Sequence, residues 1–414
     1  IRKNSAIDLF CMCGQACYIT LRTSFGPVWG DMERYDDPDR IFSYNYVCDN
    51  HSVIDRLLKY WWALAFRFVP ARMSANLLSM LGNLGSWMAV SLLMVSGFAD
   101  EGIRPWLFGL AALGIMFYHT LDCLDGMQAR RIGSAGPLGE FVDHWFDSMN
   151  VFFFPLGVLA AFPGIPVGVG IFLIMASMMV DWITLREVGK TNRLFLWHVS
   201  TEEAIVSYWM LLLSMALGGY DFWALPHSVL GFPPIFLLVA IVASAYFLTF
   251  ATTILRLRFD GLRELVTEFL SMSPMAVWIL VASSGPYPRA SFFLGLASIG
   301  FIGSRHVGDL LRTRLVGLVY PFWYPDLVAG STLVLAAAIM KLVYPALPYW
   351  LFVLPVVLLQ LLTFHRLGLQ FARTIKRVKD FLGTSLFHVP GQLESGSANK
   401  TGRSAPVTGK LAGN

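Results

Sequence analysis

Between residues 75 and 370 the sequence runs through ten apolar stretches, each about as long as a helix needs to cross the hydrocarbon core of a bilayer. They span 75–98, 105–128, 137–162, 165–185, 201–220, 232–255, 265–284, 290–311, 326–344 and 348–370. Gly-Pro and Pro-Gly pairs and acidic clusters punctuate the joints. By length alone, 414 residues would make two or three soluble domains. Composition overrides that expectation. Hydrophobic residues make up 56% and charged residues 14%, with a mean hydropathy of +0.59. Such a chain cannot cover a soluble globule with charge, so lipid has to solvate much of its surface. The predicted fold is an all-α integral membrane protein of about ten transmembrane helices.

Four regions follow. Residues 1–50, with charged, turn-rich runs such as DMERYDDPDR, read as a cytosolic N-terminal arm. Within 51–74, Ile54–Val69 sets charges against Leu, Trp and Phe, the pattern of an interfacial amphipathic helix ending before Pro70. Residues 75–380 form the membrane domain, and the polar tail at 381–414 is expected to be disordered. Of the five cysteines, Cys11, Cys13, Cys17, Cys48 and Cys123, the first three have a spacing that matches no common zinc pattern and read as ordinary thiols. Ile7–Leu21 is too interrupted to read as a signal peptide.

Loop charges orient the spans. Arg130, Arg131, Arg186, Lys190, Arg193, Arg256, Arg258, Arg263, Arg312, Arg314, Arg373, Lys376, Arg377 and Lys379 fall on one side, against little beyond Arg104, Arg289 and Lys341 on the other. Both termini and the loop after Arg130 are therefore expected in the cytosol. The net charge is only +4, and no basic aromatic patch points to nucleic acid.

Against this apolar background, Leu121–Ser148 holds Asp122, Asp125, Asp143 and Asp147. The first two are three residues apart and the last two four apart, so each pair shares a helix face. Acids near a bilayer need a compensating charge. The short IGSAG loop, with Pro137 suited to the first turn of the next helix, makes the two helices antiparallel neighbours and lets all four acids converge. Gly126, Ala129 and Gly139 lack bulk, so a ligand or a facing helix can come close. Carboxylates without Cys favour a hard cation, Mg2+ or Mn2+, and magnesium held this way completes its shell with phosphate oxygens and water. Two such ions bridging a diphosphate would assist an in-line displacement. Taken alone, paired acids also fit salt bridges, helix-cap charges or a transporter's proton relay.

The string D-x2-D-G-x2-A-R-x8-G-x3-D-x3-D is matched at Asp122, Asp125, Gly126, Ala129, Arg130, Gly139, Asp143 and Asp147. It resembles the signature of the CDP-alcohol phosphotransferase superfamily. DGMQARR followed by PLGE and VDH is similar to the choline/ethanolamine phosphotransferase branch, as are Pro70–Gly82, VSTEEAIVSYWMLLLSMALGG and the basic end at Phe364–Val378. The likeness covers roughly residues 45–380, strong at the motif and loose elsewhere. Trp145–Phe146 departs from it, where relatives carry a small residue, which bears on the shape of the lipid or alcohol pocket.

The resemblance implies that Asp122, Asp125, Asp143 and Asp147 ligate two metals and that Arg130 pairs with the diphosphate. It further implies that Glu140 and Asn76 contact the CDP-alcohol, while Gly126, Ala129 and Gly139 give the nucleotide room. The acceptor it implies is the hydroxyl of diacylglycerol, with CMP leaving. Asp147 is a candidate base, but a carboxylate bound to a dication accepts protons poorly. His144, with an unperturbed pKa of about 6.5, is the preferred one. The rivals are a CDP-diacylglycerol-dependent phosphatidyltransferase, whose relatives are usually shorter, and a cation-coupled transporter, whose acids would be scattered over distant spans. Endoplasmic reticulum or Golgi membranes in a eukaryote, and a homodimer, are likewise implied. His119, Asp181, Glu202, Glu203, Arg305, His306 and Asp309 read as cavity-lining groups or as interfacial groups and helix caps.

Overall fold

The computed structural model describes residue 37 and residues 40–44, 47–50, 52–196, 201–227, 231–321 and 323–389. The cysteine-rich N-terminal stretch and the tail from 390 onward lie outside the described residues. An amphipathic helix α1 (Val53–Phe66) leads into α2 (Ala75–Ser96), α3 (Arg104–Ile132), α4 (Pro137–Ala161) and α5 (Val167–Thr191). Helix α6 (Thr201–Ser214) continues through a π-helical turn at Met215–Gly219 into α7 (Tyr220–Ala224). Then come α8 (Pro234–Arg256), α9 (Leu262–Ala282), α10 (Pro288–Val316), α11 (Pro325–Val343) and α12 (Tyr349–Leu382).

Every expected span coincides with one of these helices, with α6, its π turn and α7 serving as one. Among the described residues, eight are long and apolar enough to cross a membrane. The two expected spans outside that set are α4 and α10, of 25 and 29 residues. Charged residues lie within both: Glu140, Asp143 and Asp147 on α4, and Arg289, Arg305, Asp309, Arg312 and Arg314 on α10. Both are shielded from lipid along much of their length, α10 being buried almost continuously from Ile299 to Arg312 among α4, α5, α9 and α12. A charged span is tolerated where it faces protein instead of hydrocarbon.

Helix α1 is shorter than the expected Ile54–Val69. Its last turn tightens through Arg67 N to Leu64 O (3.2 Å) and Phe68 N to Ala65 O (3.0 Å), because Pro70 disfavours helical geometry in the residue before it. Leu57, Tyr60, Trp61 and Leu64 stay exposed while Trp62 is buried, as suits a helix lying along an interface. Two short strands were not legible from the sequence: β1 (Val47–Asn50) and β2 (Arg193–Leu196) pair in parallel, Val47 opposite Arg193. Nearby, Glu203 Oε1 accepts from Ser52 Oγ (2.9 Å), Val53 N (2.8 Å) and Ile54 N (3.3 Å), tying the start of α1 to α6. Glu203 is thus a helix cap, the blander of its two readings.

The loop basic residues gather at one end of the bundle. There Arg256 pairs with Glu187 at 2.6 Å, Arg186 and Lys190 with Asp260 at 3.1 and 2.7 Å, and Arg314 with Glu140. At the other end Arg289 donates to Gly97 O and Ala160 O, and Lys341 to Pro345 O and Leu347 O. The predicted alternation of helix direction therefore holds. Close helix contact depends on glycine where α2 crosses α3. A Cβ on Gly114 would stand 2.7 Å from Gly85 O, and one on Gly82 3.3 Å from Tyr118 O. Small residues let backbones approach in this way.

Candidate active site

Helix α3 ends at Gly133, whose φ of 68° is the left-handed conformation that glycine adopts without strain. Pro137 then occupies the first turn of α4. Because the loop is short, residues equally far from it come level. Asp122 precedes Ile132 by ten residues and Asp147 follows Pro137 by ten, so both lie about 15 Å along their helices. Asp125 and Asp143 are level in the same way, nearer the loop.

The four acids converge as the spacing predicts. Oxygens of Asp122, Asp125 and Asp143 lie within 4.8 Å of one another, and so do ligand atoms of Asp143, His144 and Asp147. Asp143 belongs to both groups, so the two triads share a corner. Asp122 Oδ1 is buried and accepts no hydrogen bond among the described residues. An orphaned carboxylate oxygen inside an acid cluster is what a hard cation would satisfy, and the residues present fit one.

The acids are held from behind by groups that sequence reasoning missed. Tyr118 OH donates to Asp147 Oδ1 at 2.8 Å, and Asn150 Nδ2 reaches the same oxygen at 3.5 Å. Ser79 Oγ, on α2, donates to Asp125 Oδ2. Asn83 Nδ2 donates to Ser79 O at 2.8 Å, and Asn150 Nδ2 to Asn83 Oδ1 at 2.6 Å. Polar residues at 79, 83 and 86 in an otherwise apolar span were the signal available in the sequence.

The remaining site residues divide. Arg130 lies back over Gly126, its guanidinium 3.6 Å from where a Cβ on that glycine would be. Asn76 stands beside Gly139: its Oδ1 is 3.7 Å from the corresponding Cβ position, and its Nδ2 donates to Leu386 O at 2.8 Å. Ala129 is half-buried on the same helix as Gly126. Glu140 forms an ion pair with Arg314, and both side chains are almost wholly buried. Tyr44, in the segment before α1, sits within electrostatic reach of Arg314 and Asp143. Burial pushes its phenol pKa up, with Arg314 opposing and Asp143 adding.

Trp145 and Phe146 turn away from the acids. Trp145 Nε1 donates to Gln370 Oε1 at 3.1 Å, and both rings pack on Phe371 of α12. Their bulk therefore braces α4 against α12. His119 lies buried under Trp62, ring centroids 5.1 Å apart, with no hydrogen bond among the described residues. His306 bridges Ser271 and Tyr320, Arg305 pairs with Asp326, and Asp309 takes Arg312, Tyr324 and Gln370. These groups serve packing within α9–α12.

Residues 72–259 match the family model for CDP-alcohol phosphatidyltransferases. An uncharacterised CDP-alcohol phosphatidyltransferase class-I family protein of Schizosaccharomyces pombe is 26% identical over 308 residues, 68% of this chain and 79% of that protein. Cholinephosphotransferase 1 of Xenopus laevis is 27% identical over 47% of this chain and 49% of its own length. The human cholinephosphotransferase 1 is 28% identical over 44% and 46%. The chain thus spans about half the length of the cholinephosphotransferases that it matches.

Proposed function

Because residues 72–259 match the family model for CDP-alcohol phosphatidyltransferases, we propose that the chain moves phosphocholine or phosphoethanolamine from the CDP ester to diacylglycerol. The observation that carries this reading is the pair of triads sharing Asp143 at the level of His144. Asp122, Asp125, Asp143 and Asp147 would hold Mg2+ or Mn2+, two ions in all. When bound, these neutralise the diphosphate and ease the departure of CMP. Arg130, always charged, pairs with diphosphate oxygens above Gly126. Asn76 and Glu140 contact the CDP-alcohol, and Ala129 and Gly139 leave it room.

His144 takes the proton of the acceptor hydroxyl as that oxygen bonds to the phosphorus bearing the alcohol. The bond from that phosphorus to the bridging oxygen breaks, and CMP leaves with the electron pair. The acceptor arrives from the bilayer. The acids lie about 9–15 Å from the end of the bundle where the basic loops gather, which supports a site facing the cytosol. Endoplasmic reticulum or Golgi membranes and a homodimer complete the proposal.

The test is release of labelled CMP by the purified full chain in lipid, dependent on diacylglycerol and Mg2+. CDP-choline and CDP-ethanolamine should be run side by side. Turnover with either supports the reading, and their ratio gives the preference. Turnover only with CDP-diacylglycerol and inositol, serine or glycerol phosphate would move the chain to the other donor class. A stable folded protein that turns over no CDP-activated substrate would sink the enzyme reading.

A further inference from the structure

Helix α2 contributes no carboxylate to the acid cluster, yet a line of hydrogen bonds on it runs from one triad to the other. Ser79 Oγ donates to Asp125 Oδ2. The carbonyl of the same Ser79 accepts from Asn83 Nδ2 at 2.8 Å, and Asn83 Oδ1 accepts from Asn150 Nδ2 at 2.6 Å. Asn150 Nδ2 in turn reaches Asp147 Oδ1 at 3.5 Å. Ser79, Asn83 and Asn150 are all buried, at 3%, 1% and 2% exposure, so no water competes for these bonds. Ser86 Oγ donates to Asn150 Oδ1 at 2.8 Å. Asp147, which only accepts, and Asn83 Oδ1 fix which way the Asn150 amide points, because a flipped Asn150 would turn its oxygen toward both, whereas the Ser86 hydroxyl can donate or accept.

We infer that Asn150 is a positioning residue that, through Asn83 and Ser79, locks the Asp147 half of the metal centre in register with the Asp125 half. The reading rests on the metal-binding role proposed above for those aspartates. Its logic is which oxygen is left over. Tyr118 and Asn150 both occupy Oδ1 of Asp147, so Oδ2 is the one presented to a cation. On Asp125 the serine holds Oδ2. Partners behind a ligand orient it in this way, and removing one typically lowers metal affinity by about 10–100-fold. Because one chain of bonds serves both aspartates, disturbing either end should be felt at the other.

The test uses Mn2+ alone, titrated into the full chain in lipid and followed by electron paramagnetic resonance. Wild type, Asn150→Leu, Ser79→Ala and the double variant are compared. Each single variant is expected to weaken Mn2+ binding about 10–100-fold, and the double variant by less than the product of the two. Unchanged Mn2+ affinity in Asn150→Leu, with only a lower Tm, would reduce Asn150 to packing. Multiplicative losses in the double variant would show two independent supports and overturn the relay. If Asn150→Leu does not fold, Ser86→Ala keeps Asn150 in place and carries the same test with a smaller expected loss. A wild-type chain that binds no Mn2+ would instead sink the metal reading itself, so the two failures are distinct.

Discussion

Glu140 on α4 and Arg314 on α10 form an ion pair with only 4% and 5% of their side chains exposed, one helical turn from Asp143. Arg314 crosses Gly189 of α5, 3.9 Å from where a Cβ would stand, so three helices meet at this pair. Breaking a buried pair by removing one partner leaves an uncompensated charge and costs about 3–5 kcal/mol. Arg314→Met is therefore expected to lower the Tm of the solubilised protein markedly. Adding Glu140→Leu should recover most of that loss. A Tm unmoved by Arg314→Met would show that the pair does not hold α4 to α10.

Chelation of divalent metal should abolish transferase activity, and Mg2+ or Mn2+ should restore it. Asp122→Asn and Asp143→Asn each remove a carboxylate from the centre. Each is expected to cut kcat by about 10²–10³-fold, the scale of losing one electrostatic stabiliser of a transition state. Asp143 stands in both triads, so its loss should weaken Mn2+ binding more than that of Asp122. Equal activity of the chelated and reloaded enzyme would rule out the metal-assisted reading.

His144→Ala should lower kcat by about 10²–10⁴-fold, the range of general-base catalysis. Mn2+ affinity measured without substrate should change far less than in the aspartate variants. Should His144→Ala keep most of its turnover at neutral pH with metal affinity intact, the base is elsewhere, with Asp147 next in line.

Gly114→Ala places a methyl 2.7 Å from the carbonyl oxygen of Gly85, a backbone atom that cannot swing aside. The strain is expected to cost about 1–3 kcal/mol. As α2 shifts off α3, Ser79 should lose its reach to Asp125. Thermal unfolding and Mn2+ affinity measured together check this. A stability loss with unchanged metal affinity would mean that the crossing and the site are independent.

Asp260, between α8 and α9, takes Arg186 at 3.1 Å and Lys190 at 2.7 Å in a turn that holds Arg258 and Phe259 at φ 52° and 61°. Burial pushes its carboxyl up, but Lys190 and Arg186 together outweigh this and hold its pKa below the ordinary value. A depressed folded pKa adds stability that is present above the unfolded value of about 3.9 and is lost as pH falls through the folded one. Asp260→Asn should thus destabilise by up to about 1 kcal/mol near neutral pH. The difference from wild type should shrink with salt and vanish in acid. A Tm difference insensitive to both would mean that the clamp acts by shape rather than charge.

The spans and the acid motif were legible because their signals are local. A run of apolar residues fixes a membrane-length helix wherever it sits, and an i, i+3 or i, i+4 spacing fixes a shared face within one helix. Tyr118 and Asn150 were half-legible, since each lies one turn from a motif aspartate. Ser79 and Asn83 showed only as polar residues in an apolar span and Arg314 only as a loop charge, because their partners lie on other helices and no spacing along the chain encodes such a contact. Trp145 and Phe146 show the same limit from the other side. In the sequence they sit inside the motif, and only the packing of α12 reveals that they face away from it.

By itself, then, the sequence determined that this chain lies in a membrane, where its helices run, and that two adjoining helices level four carboxylates through a tight Gly-Pro loop. Helix geometry makes those consequences compulsory. The tertiary structure alone decided which oxygens of those carboxylates are already engaged, which helix supplies the hydrogen bonds, and that Glu140 is tied to Arg314. Those choices depend on distances between segments far apart in the chain, and the glycine crossing of α2 on α3 is what makes them short enough to matter.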